Sequence, residues 1–412
     1  MSANPAIKPF QIAVPDAALE RLKAKLSLAT FPEETSFSND PAYGAPLDDV
    51  KRLVGVWRDS YDWRAAEAEL NAKLPQFTTT VSVDGHEDLT IHFVHQRSES
   101  PDAIPLLFCH GWPGSFIEVL KILPLLTSSK DPSPSFHVVA PSLPNYGFSS
   151  ATRKPGFGLP QYAETCHKLM QRLGYARYAT QGGDWGYFIT RAMGALYAPH
   201  VLASHVNFFL TPPPSLLSTP LLVLRHVFGQ YTPSEKAGLA RLQQYRRDGG
   251  GYAAVQGSKP HTLGVGLADS PALLVAWVYE KLAAWTDDAH AWADAEVLTW
   301  VAVYAFAAAG PDASVRIYYE VMHPPTPADA VERFYRYNAA VPLGVSSFPK
   351  DVMVMPTAWA RAFLGPVVFE KRHEEGGHFA AYEVPELLAA DLKTMFGKKD
   401  GIGEKVQKAL GS

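Results

Sequence analysis

Between residues 104 and 209 the chain repeats one local theme: a short apolar run, a turn rich in Gly or Pro, then a helical stretch. The runs are "IPLLFC" (104–109), "FHVVA" (136–140), "YATQ" (178–181) and "SHVNFF" (204–209). Strands that alternate with helices fold as βαβ units around a parallel sheet, and the right-handed crossover leaves few topologies open. Ligands of such a sheet gather outside the carboxyl ends of its strands. The loops after the runs are therefore where chemistry is expected: "HGWPGS" (110–115), "PSLPNYGFS" (141–149) and "GGDWG" (182–186).

Residues 16 to 75 read as helical. Asp16 is placed to cap "AALERLKAKL", where Leu19, Leu22 and Leu26 recur at helical spacing, and "VKRLVGVWRDSYDWRAAEAELN" follows. Residues 78 to 94 alternate around Asp84-Gly85, the pattern of a β-hairpin. From Thr211 to about Pro342 the strand rhythm stops. "TPPPS" opens a mainly helical section holding "SPALLVAWVYEKLAAW" and "AEVLTWVAVYAFAAA", after which "DVMVM" (351–355) and "VVFEK" (367–371) read as strands. Because strands resume, the helical section is an insertion over the strand ends rather than a separate C-terminal domain.

Composition narrows the partners. A chain of 412 residues that is 47% hydrophobic can bury a large core, and a formal charge of −4 gives no reason to expect nucleic acid or an anionic membrane. Cys109 and Cys166 are the only cysteines, so no disulfide framework supports the fold. The opening "MSANPAIKPFQIAVPD" lacks the charged and apolar regions of a signal peptide, and "KALGS" carries no targeting address. The most apolar stretch, Val297 to Gly310, falls short of the ~20 residues that span a membrane. The expectation is a cytoplasmic protein without a membrane anchor, acting on small molecules.

"YATQ", "GGDWG" and the helical "WGYFITRAMGALYA" give strand, tight turn and helix in succession. That is the context of the nucleophile elbow G-x-S-x-G of the α/β-hydrolase fold, with Asp184 where serine is expected. Helix capping alone would explain Asp184 but not the glycines on both sides of it. No G-x-S-x-G occurs in the chain. A carboxylate with an ordinary pKa of ~3.9 is ionised at neutral pH and can attack an electrophilic carbon without a base. The alkyl ester so formed then needs activated water.

The fold's chain order is nucleophile, acid, histidine, so the base belongs late and after a strand. His378, in the Gly-Gly-His turn of "VVFEKRHEEGGHFAAYEVPELLAADL" ahead of a helix from about Val384, is favoured over His373 in the same loop. Asp351, in "FPKDVMVMP", leads as the orienting carboxylate, since Glu374 and Glu375 sit too near His378 in sequence to reach its far nitrogen. The backbone N–H groups of Trp112 and Trp185 are placed to form an oxyanion hole. His110 is read as bracing its loop.

"HGWPGS", "GGDWG" and "EGGHFAAYEVPELLAADL" together closely resemble the microsomal-type epoxide hydrolases, including the soluble members of that family. The resemblance extends to "PFQIAVPDAALERLKAKL" and "WRDSYDWRAAEAELN", which look like the family's N-terminal segment, and so spans nearly the whole chain. It implies an aspartate nucleophile matching Asp184, a histidine base matching His378, and a charge-relay acid after Phe-Pro-x matching Asp351. It also implies two lid tyrosines acting as acids on the epoxide oxygen. They match Tyr252 in "GGGYAAVQGSKP" and Tyr318 in "VRIYYE", with Tyr319 the rival for the second; among 18 tyrosines nothing else singles them out. A phenol suits that role because it stays protonated at neutral pH.

The expected architecture is an α/β-hydrolase fold with a mostly parallel central sheet. Its parts are an N-terminal extension, helical with a β-hairpin (1–95), a first part of the core (96–210), a helical lid (211–342) and a second part of the core (343–412). The expected function is hydrolysis of an apolar epoxide to a vicinal diol with no metal or cofactor, water being the second substrate; a homodimer is a family expectation only. Two rivals stand beside it: a haloalkane dehalogenase, which would stabilise a leaving halide, and a catalytically silent protein that carries an apolar ligand.

Overall fold

The computed structural model describes residues 6–130, 133–398 and 401–411. Its strands are β1 (Lys8–Phe10), β2 (Gln76–Ser82), β3 (Asp88–Gln96), β4 (Ile104–Cys109), β5 (Phe136–Pro141), β6 (Tyr178–Gly182), β7 (Val201–Val206), β8 (Leu343–Ser347) and β9 (Val367–Arg372). Among the described residues they form one sheet in the order β1-β2-β3-β5-β4-β6-β7-β8-β9. The pairings of β1, β2, β3 and β5 are antiparallel, and every pairing from β5 onward to β9 is parallel. All six residues of β4 are buried, as expected of a central parallel strand covered on both faces. β2 and β3 make the expected hairpin, in register Ser82↔Asp88, and Gly85 at φ 79° supplies the left-handed turn.

The helices ahead of and within the first part of the sheet are α1 (Asp16–Ser27), α2 (Leu47–Asp59), α3 (Trp63–Lys73), α4 (Val119–Thr127), α5 (Leu159–Arg172) and α6 (Trp185–Leu196). Between β7 and β8 the chain forms a helical cap of α7 (Pro220–Val227), α8 (Pro233–Gln244), α9 (Gly251–Ser258), α10 (Pro260–Asp269), α11 (Pro271–Trp285), α12 (Asp294–Ala305) and α13 (Arg316–Met322). Then come α14 (Thr357–Phe363), α15 (Ala380–Glu383), α16 (Pro385–Met395) and α17 (Gly403–Leu410). No single helix among the described residues is long and apolar enough to cross a membrane.

The N-terminal helices rest on the cap. Leu47, Val50, Leu53, Val54 and Trp57 line one buried stripe of α2, which packs against α11 and α12. Burying each such side chain contributes about 1.5–3 kcal/mol. Polar ties add direction: the Tyr279 hydroxyl donates to Asp49 at 3.0 Å, and Tyr61 bonds Thr299 at 2.9 Å.

Several local expectations change. Asp16 is the first residue of α1 rather than its cap, and its carboxylate pairs with Arg64. The strand read at 204–209 lies at Val201–Val206, so Asn207 falls beyond the ladder, where it accepts a hydrogen bond from Gln181. The "DVMVM" segment (351–355) is not a strand. The place beside β7 is taken by β8, whose Leu343 pairs with Ser204. The main chain near Asp351 instead bonds Arg241 of α8, which donates to the carbonyls of Lys350 and Asp351 at 2.7 and 2.6 Å.

Candidate active site

The turn between β6 and α6 holds Asp184 at φ 50° and ψ −126°, a strained conformation for a residue with a side chain. Only glycine fits on either side. A Cβ at Gly182 would lie 2.4 Å from the Gly186 carbonyl oxygen, and one at Gly186 would lie 2.0 Å from that of Cys109. The Asp184 side chain makes no cap to α6. Its Oδ1 accepts the Trp112 N–H at 2.7 Å, and the Trp185 N–H also favours its ionised form. Burial nonetheless raises its pKa above the usual carboxylate range, the nearby His378 working the other way.

His378 follows β9 in a loop tied down from both sides. Its N–H donates to the Trp285 carbonyl at the end of α11, and Glu383 accepts from the N–H groups of Phe379 and Asp287 at 2.8 and 2.9 Å. His378 Nδ1 lies 2.6 Å from Asp351 Oδ1, and Nε2 lies 3.6 Å from Asp184 Oδ2. Burial alone would lower the imidazole's pKa. The charge and hydrogen bond of Asp351, with the charges of Asp184 and Glu118, outweigh it and push the value up to about 9.

Tyr252 of α9 and Tyr318 of α13 are both buried above this group. The Tyr252 ring stacks on Trp112 at 5.3 Å, and the Tyr318 ring stands edge-on to Trp185 at 4.8 Å. The two hydroxyls interact with each other, and burial raises both phenols well above their usual pKa. Tyr319 is 38% exposed and stacks on His323, away from the group. The structure thus brings together Asp184, His378, Asp351, Tyr252, Tyr318 and the backbone N–H groups of Trp112 and Trp185.

Other candidates fall elsewhere. His110 braces its loop: Nδ1 bonds the Gly111 carbonyl at 2.9 Å and Nε2 accepts the Leu143 N–H at 3.2 Å. His373 is engaged elsewhere: its ring stacks on Phe348 and its Nε2 bonds Asp391 at 2.6 Å. Glu374 and Glu375 are exposed.

Sequence reasoning passed over three residues here. The Tyr245 hydroxyl lies 3.1 Å from that of Tyr252. Lys281 is buried with its ammonium 5.0 Å from the Tyr252 ring centroid. Glu118 lines a cavity with Asp184 and His378. Periodicity marks these only as helix residues, and no spacing in the chain reports that three distant segments converge.

A parallel sheet with a helical cap and a strained turn after β6 defines the α/β-hydrolase fold, here with a carboxylate at the elbow. Comparison with known proteins agrees and goes further. Residues 7–119 match the family described as "Epoxide hydrolase N terminus", and residues 104–228 match "alpha/beta hydrolase fold". A Stigmatella aurantiaca relative, provisionally named an epoxide hydrolase, is 38% identical over 95% of this chain and 84% of its own. Epoxide hydrolase 1 of Sus scrofa is 34% identical over 95% of this chain and 88% of its own. The structure of Aspergillus niger epoxide hydrolase superposes with a TM-score of 0.79 at 35% identity, covering 95% of this chain and 96% of that one. The chain belongs to the microsomal-type epoxide hydrolase family, and it is an enzyme that hydrolyses epoxides.

Proposed function

We propose that the enzyme converts an apolar epoxide to a vicinal diol through an ester on Asp184. Asp184 Oδ2 attacks an oxirane carbon while Tyr252 and Tyr318 donate to the opening oxygen. Two buried phenols that stay protonated are suited to that task, since the charge develops on oxygen in a site of low polarity. The Asp184 Oδ1 already faces the Trp112 N–H, the donor that would stabilise the oxyanion when water attacks the ester. His378, oriented by Asp351, activates that water. The observation that carries this reading is the alignment of Asp351, His378 and Asp184, at 2.6 and 3.6 Å, beneath the two tyrosines.

Aromatic side chains wall the cleft: Trp112, Trp285 and Phe208 contact the tyrosines or His378. An apolar substrate fits such walls. One observation favours the dehalogenase reading, namely that the buried Trp185 Nε1 has no hydrogen-bond partner and could take a halide. Offering the enzyme an aryl epoxide and a bromoalkane separates the two. Diol from the first and no bromide from the second is the expected result, with turnover falling on the order of 10³-fold or more in Asp184→Asn. Bromide release at a comparable rate would overturn it.

A further inference from the structure

Hydrolysis of an alkylated Asp184 needs a water already in place, because the alkyl group would occupy the cap side of the cleft. On the core side, a cavity of about 10 Å³ lies against Asp184, roughly the room that one water requires. Its polar walls are Asp184, His378, Asn207 and Glu118, and no residue of the cap lines it. Four polar groups around a single-water space make a site that water satisfies well.

Glu118 is the member of this wall without a part in the scheme above. It ends the short turn Phe116–Glu118 that leads into α4. Its carboxyl folds back over the "HGWPGS" loop so closely that a Cβ at Gly114 would lie 1.7 Å from Oε1. The backbone amides of Gly111 and Ser115 bond it there, while burial pushes its pKa up to about 8.

We propose that Glu118 is a positioning residue for the second step, holding the hydrolytic water in the core-side cavity between His378 Nε2 and Asp184 Cγ. Epoxide and water then reach Asp184 from opposite sides. His378 Nε2 takes one proton from the water, the water oxygen bonds Cγ, the ester C–O bond breaks, and the proton passes to the departing diol oxygen. Glu118 exchanges nothing; it fixes where the water stands.

This inference rests on Asp184 carrying the ester, so the test reports both. Wild type, E118Q, E118D and His378→Gln are mixed with one aryl epoxide, quenched in acid at intervals, and the intact protein is weighed by mass spectrometry. The expected result is that E118Q gains the substrate mass at the wild-type rate but sheds it about 10- to 100-fold more slowly, with E118D partly restored. A residue that merely holds the fold together would slow both steps. Wild-type shedding in both Glu118 variants, or equal slowing of gain and loss, overturns the proposal. No mass gain even in His378→Gln overturns the ester reading beneath it.

Discussion

In the proposed mechanism His378 serves two steps that ask opposite things of it. In the free enzyme its pKa of about 9 keeps it a cation at pH 7, paired with Asp184, which burial would otherwise tend to neutralise. Alkylation removes the Asp184 charge, one of the causes that raise His378, so its pKa falls and Nε2 becomes a base when one is needed. The acid limb of ester hydrolysis should therefore lie at lower pH than the His378 titration followed by NMR in the free enzyme. Coincident values would contradict this. The linkage sign follows as well: a raised folded pKa gives stability that is complete below about 6.5 and lost as pH rises through about 9. In the same proposal the tyrosines act earlier. Tyr252→Phe or Tyr318→Phe should each slow adduct formation about 10- to 100-fold, and the double variant on the order of 10³-fold or more, by rapid-quench kinetics; Tyr319→Phe should leave it unchanged. At this scale much of the candidate site that the structure brings together was legible in the sequence, because Asp184 and His378 sit in motifs of glycine. Tyr318 was distinguishable from Tyr319 only once burial was known, and Glu118 looked like any residue of an amphipathic turn.

At the scale of elements, the elbow is made by what cannot fit around it. The strained Asp184 conformation costs roughly 1–3 kcal/mol and persists because β4, β6 and α6 close on it through Gly182 and Gly186. Gly186→Ala should lower the thermal midpoint by an amount corresponding to about 1–3 kcal/mol or more, as its Cβ meets the Cys109 carbonyl. Asp184→Asn should keep the midpoint, since Asn tolerates positive φ. A Gly186→Ala protein of unaltered midpoint would show that the close approach is not rigid. β4, β5 and β6 were legible because their apolar runs match buried strands, and β9 was legible from "VVFEK" although none of its residues is buried. β8, "LGVSS", was not: glycine and serines give no β signal, whereas the alternation of "DVMVM" imitates one. What decides between them is Arg241, more than 100 residues away, which claims the main chain at 350–351.

For the whole molecule, the cap is held from three directions. The N-terminal helices pack on α11 and α12; Trp300 and Tyr304 of α12 donate to the carbonyls of Pro113 and Gly114; and the loop after α11 binds the His378 loop. The "HGWPGS" loop, the His378 loop and the two cap tyrosines are thus positioned against one another by a single body of structure. The insertion showed in the sequence as a loss of strand rhythm, but its docking did not, because surface complementarity between distant segments leaves no periodic trace. The central claim is that the two steps use different oxygens: the one joined to the oxirane carbon comes from Asp184, and water only frees it. A single turnover in heavy-oxygen water, with enzyme in excess over epoxide, tests this directly. The account predicts diol without label in its new hydroxyl and label in the Asp184 carboxylate; labelled diol from the first turnover would contradict it.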